Sequence, residues 1–309
     1  MVGIVTEPLF DDLSQPFQIE QCDVRGRIVR LGPALDRILT RHAYPEPVAQ
    51  LLAEAVLLAG TMTTALKFDG TFTLQAKGDG PVSTLVADCR TPGGLRGYAS
   101  FDAERLDGLE LGPGGTAGIV PLLLGKGYLA FTIDPAGEDM ERYQGIVDLS
   151  GATLVEAAHA YFDQSEQLNA RVVLSAAHRR GADGRRRWRG GAILVQQLPQ
   201  QPGGLTAEER ELAWEKTTAL LETASGGELT DPQLGHNDLL YRLFHEDGVR
   251  VFDPGELGEQ CTCSQDKVRG ILSTFSAEEI DTMAEDGTIS VTCQFCSAAY
   301  RFAADDFRG

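Results

Sequence analysis

Cys261-Thr-Cys263-Ser264 and Cys293-Gln-Phe-Cys296 decide how the last part of this chain folds. Two close thiol pairs brought together by a fold supply four soft ligands, the donor set of a tetrahedral zinc site. The first pair, C-x-C, is one residue tighter than the usual C-x-x-C knuckle, and thiols held this close can bridge one another when the metal leaves. The pairs stand 29 residues apart. Ser264 can cap a helix running to Phe275, and Ser276-Ala-Glu-Glu279 is a capping box for a second helix ending near Gly287. Ile289 to Cys293 and Ala298 to Phe302 then read as a hairpin with the second pair at its turn. So small a module, with few large apolar side chains, needs its metal, which contributes on the order of 10–16 kcal/mol in comparable zinc modules. Four thiolates on Zn²⁺ leave a local charge of about minus two and keep every sulfur deprotonated and oxidisable. The residues alone leave a purely structural zinc and a redox switch both open.

Working outward, residues 257–309 form the zinc-binding module, 205–256 a helical linker and 1–198 a mixed α/β body, an α+β chain. Thr206-Ala-Glu-Glu209 opens a helix to about Thr223, Gly226-Gly227 breaks it, and a short helix surrounds Asp238 to His245. Leu212, Leu220, Leu221, Leu239, Leu240 and Leu243 give this stretch an apolar face that has to lie on the body, because short helices are marginal alone. In the body, Pro47 opens a long apolar helix through Leu66. Gly70 to Lys77 and Val82 to Cys89 form a hairpin about Gly78-Asp-Gly-Pro81. Strands follow at Gly97–Asp102, Gly127–Asp134, Tyr143–Val147, Arg171–Ala176 and Ala192–Gln197, with a helix at Leu154–Ser165; Ile19–Leu31 reads as a strand around Gly26.

Composition limits the function classes. Against 45 Asp+Glu stand 27 Lys+Arg, a net charge of -18, which opposes affinity for nucleic acid or an anionic membrane. The acidic N-terminus lacks the pattern of an export signal, and Val48 to Leu66, interrupted by Gln50, Glu54 and threonines, reads as a buried helix. A cytoplasmic setting is expected, where clustered cysteines bind metal or do redox work. Cys22 and Cys89 read as ordinary small residues. The run His178 to Arg189 is the one basic patch and reads as a solvated hairpin loop, with no role assigned to Arg185 to Arg189. Gly112 to Gly118 lacks the Gly-Lys-Ser/Thr ending of a phosphate loop. The five histidines are scattered, and no nucleophile–base arrangement stands out, so no catalytic residue is named and no enzyme is expected.

The cysteine pattern, followed by an aromatic strand, resembles the 33-kDa heat-shock protein family of redox-regulated chaperones. The likeness extends through Ala65-Leu-Lys-Phe-Asp-Gly70, Gly78-Asp-Gly-Pro81, Glu141-Arg-Tyr-Gln-Gly145, Ser165-Glu-Gln-Leu168, Gly190-Gly191 and Glu285-Asp-Gly287. The resemblance implies an ATP-independent holdase, inactive while reduced, with one zinc on Cys261, Cys263, Cys293 and Cys296. It implies Cys261–Cys263 and Cys293–Cys296 disulfides on oxidation, zinc release, unfolding of the linker, a homodimeric active form and unfolded client proteins as partners. Two other classes compete. A thiol–disulfide oxidoreductase would use Cys293 and Cys296 catalytically, but a second tight pair and the lack of a thioredoxin-like βαβ context count against it. A zinc-ribbon nucleic-acid binder is opposed by the charge.

Overall fold

The computed structural model describes residues 11–109, 118–137, 140–166, 169–181, 183–200, 202 and 204–307. The extreme N-terminus, most of the glycine run 112–118 and Gln167-Leu168 lie outside them. The chain divides into two units, Met1–Glu259 and Gln260–Gly309.

The larger unit begins with β1 (Leu13–Ile19), β2 (Val24–Leu31), α1 (Pro33–Thr40) and α2 (Glu46–Ala65). After these come β3 (Gly70–Gly78), β4 (Val82–Arg90), β5 (Gly94–Phe101), α3 (Ala103–Asp107) and α4 (Ile119–Leu123). Next are β6 (Gly127–Pro135), β7 (Tyr143–Asp148), α5 (Leu154–Tyr161), β8 (Ala170–Arg180) and β9 (Arg186–Gln197). The expected strand at 19–31 is two strands, because Glu20–Cys22 makes a tight turn ending on Asp23 in the left-handed region.

Helix α2 explains the architecture. It is long and apolar enough to span a membrane by composition, yet 83% of that window is buried inside the protein. It lies in one core shared by two sheets, packing on Val29, Leu31 and Leu194 of one and on Leu74, Leu85 and Leu95 of the other. That double burial is why its side chains are apolar nearly all round.

The linker region forms α6 (Ala207–Glu222), α7 (Gly226–Thr230) and α8 (His236–Phe244). Gly226-Gly227 is not a break: Ser225 and Glu228 form a reciprocal capping box that starts α7 there. Trp214, Leu221, Leu229, Leu239, Leu240 and Phe244 bury against Phe17, Ile19, Val24, Ile28, Ile193 and Val195. This second core lies on the sheet face opposite α2. Leu212, expected in that face, is 67% exposed, and Trp214 takes the inward position instead.

The chain then returns to the body in three short strands, β10 (Val249–Val251), β11 (Gly255–Glu256) and β12 (Gly258–Glu259). The first two pair with β1 and the third runs parallel to β5, giving sheets ordered β10-β1-β2-β9-β8 and β12-β5-β4-β3-β6-β7. These pairings use backbone groups over two or three residues, too short for side-chain alternation to announce them. Leu257 is buried in the α2 core, and Glu259 pairs with Arg41 at 2.5 Å and Arg37 at 3.3 Å. The small unit therefore starts at Gln260, three residues beyond the boundary expected from sequence.

The basic run also differs from its expected loop. Most of it lies in β8 and β9, which pair through Arg180 and Arg186. Arg179 donates to Thr230 Oγ1 (2.8 Å), Arg187 to Asp183 (3.0 Å) and Arg189 to Asp11.

A candidate metal centre of four cysteines

The small unit carries α9 (Gln265–Leu272), α10 (Ala277–Met283) and the hairpin of β13 (Thr288–Thr292) with β14 (Ala299–Ala303). Its core is five buried residues, Leu272, Ile280, Ile289, Phe302 and Ala304. Both expected caps form: Ser264 Oγ accepts from the Lys267 amide at 3.2 Å, and Ser276 with Glu279 makes the capping box. The second helix stops at Met283. Glu285 and Thr288 bridge a turn in which Asp286 and Gly287 have φ of 49° and 73°, which explains glycine at 287.

Each cysteine pair is fixed by local backbone. Cys261 and Cys263 lie in the extended segment just before the Ser264 cap, and Lys267 Nζ donates to the Thr262 carbonyl at 2.7 Å, tying α9 back onto the C-x-C. Cys293 and Cys296 occupy the β13–β14 turn. There the Cys293 amide donates to the Ala298 carbonyl (2.9 Å) and the Ser297 amide to the Cys293 carbonyl (2.8 Å).

All four sulfurs lie within 4.8 Å of one another and are half-buried. Between the pairs, Cys261 Sγ lies 3.7 Å from Cys293 Sγ and Cys263 Sγ 3.3 Å from Cys296 Sγ. A tetrahedral zinc with bonds of about 2.3 Å sets its sulfurs about 3.8 Å apart. The ligand set, its spacing and its partial burial therefore fit such an ion. The Tyr300 hydroxyl donates to Cys263 Sγ at 3.1 Å and holds that thiol down at about 7. Desolvation pushes Cys296 up to about 12 and also raises Cys261. Tyr300 was not singled out from sequence, although an aromatic strand after the second pair was; its place on β14 beside the turn brings its hydroxyl to the site.

The other two cysteines stay apart. Cys22 is buried in the linker core and Cys89 in the α2 core, where burial raises both thiols, Cys89 to about 11.

The "Hsp33 protein" family model matches residues 12–303. A protein of Caulobacter vibrioides named 33 kDa chaperonin is 46% identical over 297 residues, covering 95% of each chain. One of that name from Ectopseudomonas mendocina is 38% identical, covering 96% of this chain and 94% of its own. The crystal structure of the Thermotoga maritima 33 kDa chaperonin superposes with a TM-score of 0.77 at 22% identity, over 96% of both chains, so the fold is shared end to end. On the family match and these relatives, the chain belongs to the Hsp33 family.

Proposed function

We propose that this protein is an ATP-independent holdase chaperone, not an enzyme, whose binding surface is controlled by the redox state of Cys261, Cys263, Cys293 and Cys296. The observation that carries the reading is the four-sulfur cluster, sized for zinc, in a chain of the chaperonin-named family. In the reduced state one Zn²⁺ would be held by the four thiolates, and its chemistry is to stabilise them as ligands and to tie the hairpin to the C-x-C segment. The protein's own residues do the rest. Tyr300 and Lys267 orient the first pair, and the β13–β14 turn presents the second.

Oxidation removes two electrons from two thiolates per disulfide; each hydrogen peroxide takes up those two electrons with two protons from solvent and becomes two waters, so two molecules of peroxide account for two bridges and the zinc leaves as Zn²⁺. In the reduced site all four sulfurs lie within 4.8 Å of one another, as a tetrahedral set requires. The family resemblance implies Cys261–Cys263 and Cys293–Cys296 as the bridges, each joining the two cysteines nearest in sequence. The small unit, with a five-residue core, then unfolds. Residues 205–256 follow as the redox-sensitive linker: Cys261 is two residues from Glu259, the end of the strap formed by β10 to β12. Lifting the helical layer bares Phe17, Ile19, Val24, Ile28, Ile193 and Val195, an apolar sheet face suited to unfolded clients. A homodimeric oxidised form, a cytoplasmic setting and no nucleic-acid or membrane partner belong to the same reading.

The test is zinc content, disulfide mapping by mass spectrometry and suppression of client aggregation, each before and after peroxide under mild heat. Loss of one zinc per chain, two local bridges and a gain of holdase activity are expected. Zinc retained, or zinc lost with no gain in client binding, refutes the switch.

A further inference from the structure

The face of β2 beneath the helical layer carries an arginine where alternation calls for an apolar residue. Arg30 follows Val24 and Ile28 on that face and is 2% exposed. Among the described residues it makes no ion pair, and the acidic charges acting on it are Asp11 and Asp231. Its guanidinium instead donates to four backbone carbonyls of one short segment. Nη1 reaches Glu228 (3.0 Å) and Leu229, and Nη2 reaches Asp231 (3.4 Å) and Leu234. These carbonyls end α7 and line the loop to α8, where a helix terminus leaves acceptors without intrahelical partners.

The opposite side of the seat is equally specific. Gly191 is the ladder partner of Arg30, and a Cβ there would lie 2.2 Å from the Leu229 carbonyl oxygen. The α7 backbone thus rests directly on β9, with Arg179 bonded to Thr230 beside it.

We propose that Arg30 is the positioning residue that pins α7 and its following loop over the sheet face, keeping the client surface masked in the reduced state. The proposal rests on the chaperone reading above. Apolar burial is non-directional and would let the short helices slide; four carbonyls around one planar fork fix a single seat. The desolvation of the buried cation is offset by the carbonyls of that segment together with the charges of Asp11 and Asp231. When the layer lifts, water takes over both the guanidinium and the carbonyls, so the contact specifies the closed arrangement without locking it shut. Removing the fork strands the carbonyls in the closed state alone and shifts the equilibrium toward the open one.

The experiment compares wild type with Arg30→Met, Arg30→Lys and Gly191→Ala as full-length, reduced, zinc-loaded proteins. Gly191→Ala presses on the Leu229 carbonyl while leaving Arg30 in place. Proteolytic cutting within 205–256 is expected to rise at least about tenfold in Arg30→Met and Gly191→Ala, the scale set by buried carbonyls left unpaired. Arg30→Lys, which keeps the charge but not the fork, should fall between. The opened variants should suppress client aggregation without oxidant while retaining zinc, and amide exchange in β3, β4 and β6 should stay at the wild-type rate. Cutting at the wild-type rate in both opened variants overturns the pin, as does loss of protection spreading through β3, β4 and β6. Oxidised wild type is the control: if it fails to hold client, the chaperone switch is wrong, while the cutting rates still decide the pin.

Discussion

Replacing Cys293 by serine tests the metal centre with little disturbance of the fold. The turn it sits in is held by backbone bonds, Cys293 to Ala298 at 2.9 Å and Ser297 to Cys293 at 2.8 Å, and serine keeps both. What changes is the ligand: a thiolate 3.7 Å from Cys261 Sγ becomes a hydroxyl that stays protonated at neutral pH. Structural zinc sites bind with roughly 10–16 kcal/mol, so one thiolate of four carries roughly 2.5–4 kcal/mol if the shares are equal. At about 1.4 kcal/mol per tenfold, affinity should fall about 10²–10³-fold. Competition with a chromophoric chelator at pH 7 under reductant measures this directly, with Cys22→Ser, buried in the core of the larger unit beneath α6 to α8, as the control expected to match wild type. A Cys293→Ser dissociation constant within threefold of wild type would refute the four-thiolate site. Normal peroxide activation of that variant would refute the switch built on it.

Leu240→Ala removes a fully buried side chain between α8 and the sheet. It should weaken closure of the layer by about 2–5 kcal/mol, seen as faster cutting within 205–256 in reduced protein; unchanged cutting would mean that the layer is not the labile element. Glu54 gives a pH prediction. It is 4% exposed, accepts one bond from Gln50 at 3.2 Å, and burial raises its carboxyl from 4.5 to about 7. The folded state therefore keeps a proton that the unfolded chain releases over that range. The resulting stability is present in full below about 4.5 and falls as pH rises through about 7, by roughly 3 kcal/mol in all. Glu54→Gln should flatten that fall, with urea midpoints at pH 5 and pH 8 drawing together; an unchanged difference would show that another group governs it.

Much of this was legible from residues. The clustering of the two cysteine pairs, the capping boxes at Thr206 and Ser276, the hairpin of β3 and β4 and the buried helix α2 all follow from local chemistry or clear periodicity, and the structure has each. Helices α1 and α3 were missed despite local start signals, Pro33 and the Asp102 cap, whereas other missed elements depend on distant partners. Strands β10 to β12 are two or three residues long and form only because β1 and β5 offer edges. Helix α7 begins with two glycines, poor helix formers, and exists because Ser225 caps it and β8 and β9 accept its backbone closely. In the candidate site, the four cysteines could be read from spacing, whereas the Tyr300 bond to Cys263 required knowing which strand lies beside the turn.

The same contrast would let one layer come away while the body stays folded, as the proposed switch requires. The α2 core is closed by two sheets and contains no side chain from residues 205–256; from the returning strap it uses only Leu257. The linker core is shared, with its sheet half belonging to the body and its helical half to segments only five to sixteen residues long. Short helices have little stability apart from the surface they cover. Detachment therefore costs the second core and leaves the first intact, so the sheet that supports the exposed face remains ordered. A chaperone surface needs that arrangement, a rigid apolar platform under a removable cover. Hydrogen exchange after oxidation should accordingly accelerate in α6 to α8 while β3, β4 and β6 keep their protection. Loss of protection in both regions together would mean that the two cores open as one and that no separate cover exists.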